Sequence, residues 1–62
     1  MINYDEDAHI LEATFNNNRT YQYFKVSKNM WMDFLTAIYS GESAGGFINK
    51  EIKPFYECME VT

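Results

Sequence analysis

The feature that most constrains this chain is its single cysteine, Cys58. Small domains that cannot bury much apolar surface are commonly held by disulfides or metals. One thiol forms no intramolecular disulfide, and one histidine, His9, far from it in sequence, gives no metal-ligand spacing. A chain of 62 residues must therefore close its core by packing alone. The means are five Phe, five Tyr and one Trp, within a composition that is 47% hydrophobic. Each such ring carries a large apolar area per residue. That content excludes a disordered tail, and the length excludes the larger enzyme folds. One domain over residues 1–62 is expected, with self-association as a further way to bury surface.

Patterning assigns the elements. Residues 9–15 alternate, with Leu11, Ala13 and Phe15 on one side and Ile10, Glu12 and Thr14 on the other. Asn16-Asn17-Asn18 reads as a turn, since Asn tolerates left-handed backbone and bonds its own main chain. Arg19 to Phe24 then reads as a second strand, with Tyr21 and Tyr23 on one face. Together they predict an antiparallel hairpin. Ser27 is placed to cap a helix over 28–39, where Trp31, Phe34, Leu35 and Ile38 form an apolar stripe flanked by Met30 and Ala37. Ser40-Gly41 ends it. Ser43 is placed to cap a second, shorter helix carrying Phe47, Ile48 and Ile52, and Pro54 ends that one. Residues 55–61 alternate again and predict a last strand, in which Cys58 serves as a small hydrophobe. The expected fold is α+β: a small antiparallel sheet, β-β-α-α-β, with two helices packed on one face. Residues 1–8, which include Asp5, Glu6 and Asp7, read as a partly flexible acidic N-terminal arm.

The net charge of −4 argues against broad, nonspecific nucleic-acid binding. The charge is unevenly spread, because all five bases fall between residues 19 and 53. No basic and apolar leader precedes the first strand, and no apolar run is long enough to span a membrane, so a reducing cytoplasm is the expected setting. No membrane, metal or cofactor is expected. Gly45-Gly46 lacks the lysine and hydroxyl that follow in a phosphate-binding loop.

The ordered set Tyr21-Gln22-Tyr23, Val26, Ser40-Gly41, Phe47-Ile48-Asn49 and Ile52, with a closing aromatic at Phe55 or Tyr56, resembles the KTSC domain family. The resemblance runs over roughly residues 9–61. Tyr21-Gln22-Tyr23 fits the family's YxY signature, and Lys50 or Lys53 fits the basic residue that follows its asparagine. The chain departs from the pattern at Ser27, where proline is common, and in a longer loop over residues 41–46. The family includes a module at the C-terminus of some lysyl-tRNA synthetases and free-standing bacterial and phage-like proteins. The resemblance implies this fold, no established catalysis, and a suggested association with RNA.

Two functions compete on the residues. The first is a small non-enzymatic interaction module, a phage- or mobile-element-encoded inhibitor or modulator of a larger host protein or defence complex. Its candidate anchors are Met30, Trp31, Met32, Tyr39 and Phe55, the residue types that dominate interfaces. The alternative is an RNA-binding module. Tyr21 and Tyr23 would stack on bases, Arg19, Lys25, Lys28, Lys50 and Lys53 would meet phosphates, and Asn49 would contribute to recognition. Each set also has a plain reading. The tyrosines serve as core, the lysines as a solvated face, and Asn49 as a loop bridge. Catalysis would need His9 and Cys58 to meet, which requires the first and last strands to be joined.

Overall fold

The asparagine turn forms as its chemistry dictates. Asn18 takes φ +62°, its N–H donates to the Phe15 carbonyl at 3.0 Å, and Asn17 Oδ1 accepts from the Arg19 N–H at 3.1 Å. The strands on either side are β2 (Ile10–Thr14) and β3 (Thr20–Tyr23). They pair antiparallel, with Leu11 opposite Tyr23 and Ala13 opposite Tyr21. The computed structural model describes residues 1–61.

Ahead of the hairpin lies β1 (Ile2–Asp5), antiparallel to β2, with Ile2 opposite Ala13 and Tyr4 opposite Leu11. Much of the stretch read as an acidic arm is thus a strand at the sheet edge. The alternation that makes it one is short: Ile2 and Tyr4 face the core side, and Asn3 and Asp5 face away. The carboxylate at the end of β1 closes the turn that follows, since Asp5 Oδ1 accepts from the N–H groups of Asp7 and Ala8. The fourth strand, β4 (Cys58–Glu60), pairs with β3, so the sheet order is β1-β2-β3-β4. Phe55 and Tyr56 lie outside that strand, in the turn after Pro54.

Ser27 caps α1 (Lys28–Tyr39), its hydroxyl accepting from the Met30 N–H at 3.2 Å. Gly41 ends the helical stretch at φ +96°, a conformation costly for any residue with a Cβ. Ser43 caps α2 (Ala44–Phe47), which runs on into a wide π-type turn, Ile48–Ile52. Both helices pack on one face of the sheet. Leu11, Ala13 and Tyr23 from the sheet meet Val26, Phe34, Ile48 and Ile52 in one buried cluster. The opposite face carries polar pairs, with Gln22 Nε2 donating to Glu12 Oε1 at 3.1 Å and the Thr14 and Thr20 hydroxyls bonded at 2.9 Å, beside Ile10 and Met59. The fold is the α+β arrangement expected, with one strand more.

Candidate functional site

The helix-side face of the sheet divides into two halves. At the β1 end the side chains are mutually satisfied. Tyr4 stacks on Trp31 with ring centroids 5.2 Å apart, and Trp31 stacks on Phe34 at 5.5 Å. Phe34 meets Phe47 edge-on at 5.5 Å, so the rings run from β1 across α1 to α2. The Tyr4 hydroxyl donates to the Val26 carbonyl at 2.7 Å. At the rim, Lys28 Nζ sits 2.9 Å from Glu6 Oε1. That contact holds the Glu6 carboxyl below its ordinary range and the Lys28 ammonium above its own.

The β3–β4 end is open. Phe15, Asn17, Tyr21, Tyr23, Asn49, Lys53 and Cys58 line a groove of about 330 Å³. The hairpin places Phe15 and Tyr21, whose rings meet edge-on at 5.8 Å. Pairing of β3 with β4 sets Cys58 directly opposite Tyr23. The π-type turn supplies the far wall. The Lys53 N–H donates to the Ile48 carbonyl at 2.7 Å, a wider loop than an α-helical turn closes. Such widened turns recur at functional surfaces. Ile48 and Ile52 point into the core while Asn49 and Lys53, also four apart, face the groove.

Tyr23 is 97% buried, yet its hydroxyl has no hydrogen-bond partner among the described residues. None of their side-chain N or O atoms is both sealed and unpartnered, so the phenol oxygen must reach open space, and the groove is the space Tyr23 lines. Burial pushes this phenol above its ordinary value, and the neighbouring Cys58 thiol and Tyr21 phenol add to the rise.

The structure gathers some of the sequence candidates and scatters others. Tyr21, Tyr23, Asn49 and Lys53 meet in the groove. Arg19 does not line it and is paired with Glu60 at 3.4 Å. Lys28 belongs to the other half, paired with Glu6. Lys25 lies in a turn at φ +59°, beside Phe24, Phe55, Tyr56 and Glu57. Lys50 is exposed and does not line the groove. Among the interface candidates, Met30 and Trp31 are half-buried against the core, whereas Met32, Tyr39 and Phe55 are exposed. Cys58 is exposed rather than packed as a small hydrophobe, because β4 is the outer strand. His9 lies in the turn before β2, two strands from β4. Sequence reasoning missed Phe15, Asn17 and Cys58 as groove residues. The only signal for them was that Phe15 shares a strand side with Leu11 and Ala13.

Among the described residues there is no group of three or more His, Cys, Asp or Glu side chains able to hold a metal ion. No helix among them is long and apolar enough to cross a membrane. The model of the KTSC domain family matches residues 1–56, which takes in β1 as well as the hairpin and both helices. The crystal structure of a KTSC domain protein from Yersinia pestis superposes with a TM-score of 0.74 at 31% identity. The alignment covers 98% of this chain and 80% of that one. The comparison with curated proteins gives no match. A family match over nearly the whole length and a shared fold at that identity agree: the chain belongs to the KTSC domain family.

Proposed function

We propose that the chain is a non-enzymatic protein-interaction module that covers part of a larger protein through the outer side of α1. The observation that carries this reading is the exposure of Tyr39 (90%) and Met32 (52%), which lie two turns apart on one side of α1 with Leu35 between them. Large aromatic and methionine side chains left in solvent are costly to keep there and useful when buried by a partner. Phe55, 73% exposed, lies beside Lys25 and Glu57 and offers a separate contact. The finer form of the proposal is an inhibitor or modulator of a host protein, encoded by a phage or mobile element and working in the cytoplasm.

The RNA reading has one observation in its favour, the meeting of Tyr21, Asn49 and Lys53. Two facts weigh against it. Tyr23 is in the core, and the Arg19 and Lys28 charges are already met by Glu60 and Glu6. The test is affinity capture from native lysate, with and without nuclease, using the wild type and a Met32→Ser/Tyr39→Ser double variant. The expected result is a protein retained by the wild type, indifferent to nuclease and lost with the variant. Retention of RNA alone, or equal capture by both chains, overturns the proposal.

A further inference from the structure

We infer that the groove between β3, β4 and the π-type turn is a binding site for a carboxylate carried on an apolar group, as at the end of a peptide. The inference goes beyond the α1 surface and does not depend on it.

Among the described residues the groove is lined by hydrogen-bond donors and by no acid. Tyr21 and Tyr23 bring hydroxyls, Asn17 and Asn49 amides, Lys53 an ammonium and Cys58 a thiol. The nearest acid by register, Glu60 opposite Tyr21, is engaged by Arg19 at 3.4 Å. None of the groove's phenol, side-chain amide or ammonium groups donates to a protein atom among the described residues, whereas the half-buried Tyr4 hydroxyl does. The Tyr23 hydroxyl reaches the groove with no protein acceptor among the described residues, fixed by its buried ring where a ligand atom can replace water and accept its hydrogen bond. A carboxylate oxygen does so, and donors to an ionised acceptor make the stronger class of hydrogen bond.

Charge and shape narrow the ligand. Among the described residues Lys53 is the only cation lining the groove, which matches a single negative charge. The chain's net charge of −4 disfavours a polyanion, and no other described residue lining the groove would neutralise a second charge. The Phe15 ring, edge-on to Tyr21, supplies an apolar wall for the group that carries the carboxylate. A volume of about 330 Å³ suits a residue or two rather than a folded surface. A peptide C-terminus and an acidic side chain share this chemistry.

Amide-resolved NMR titration of the full chain tests the site. Three N-acetylated tripeptides ending in leucine serve as probes: one with a free C-terminal acid, its C-terminal amide, and an amide with glutamate at the middle position. Inorganic phosphate is the fourth titrant. The expected result is saturable shifts at Tyr21, Tyr23, Asn49, Lys53 and Cys58 with the free acid, and at least tenfold weaker binding of the plain amide. Binding by the glutamate peptide in place of the acid moves the source to a side chain and keeps the site. Tyr23→Phe and Lys53→Met should each weaken binding by about tenfold while leaving the rest of the spectrum in place. The inference is overturned if the plain amide binds as well as the acid, if phosphate binds and neither carboxylate does, or if the two variants titrate like the wild type. Absence of any saturable shift at these residues overturns it as well.

Discussion

Tyr4 and Tyr23 stand on the same face of the same sheet, each directly opposite Leu11, one on each side of it. Their surroundings differ in kind. Around Tyr4 the rings stack and the hydroxyl is spent on the Val26 carbonyl. Around Tyr23 the ring is deeper, the hydroxyl is unspent, and the neighbours are an amide, an ammonium and a thiol. The comparison teaches that burial alone does not separate structural from functional aromatics. What separates them is whether the polar end of the side chain has been satisfied inside the protein.

The strongest way to break this division is to remove the stack. Phe34 touches both Trp31 and Phe47 and is 2% exposed, so Phe34→Ala should cost about 3–5 kcal/mol in chemical denaturation. A loss under 1 kcal/mol would mean that the rings do not hold α1 to the sheet. Next in size is Ser27→Ala, which removes the cap on the helix carrying Trp31 and Phe34 and should cost about 1 kcal/mol. In the open half, Cys58→Ser should stay within about 0.5 kcal/mol, since the thiol is exposed and unpaired. Equal sensitivity there would erase the contrast.

The smallest expected effect is that of the Glu6–Lys28 pair. Lys28 holds the Glu6 carboxyl below its ordinary value, so the pair contributes above the unfolded carboxyl's pKa and loses that contribution as pH falls through the lowered one. Both groups are exposed, so the contribution is slight and fades with salt. A Lys28→Met variant should show a flatter acid limb in stability against pH than the wild type, and the difference should vanish at high salt.

The sequence made the hairpin, both helix caps and the core stripe of α1 legible, because each rests on local chemistry. Asn tolerates the turn, and Ser27 and Ser43 accept from the N–H groups of Met30 and Gly46. The first strand was hidden because two apolar residues, Ile2 and Tyr4, are too few to show a period among acids. The groove was half legible. The shared face of Tyr21 and Tyr23 follows from alternation, but the approach of Asn49, Lys53 and Cys58 depends on the β3–β4 pairing and on a turn wider than helical periodicity predicts. The basic residues misled for the same reason. Spacing put Arg19, Lys25 and Lys28 close together, while the fold gave Arg19 and Lys28 to carboxylates on different strands and turns.

The most direct measurement is a matched pair of hydroxyl deletions, Tyr4→Phe and Tyr23→Phe, compared by chemical denaturation in the absence of ligand. Removing the Tyr4 hydroxyl takes a donor from the Val26 carbonyl and should cost about 1–2 kcal/mol. Removing the Tyr23 hydroxyl takes away a group that bonds nothing in the protein, so stability should hold within about 0.5 kcal/mol or rise. A Tyr23→Phe loss equal to or greater than that of Tyr4→Phe would contradict the division of the face into a satisfied half and an open one.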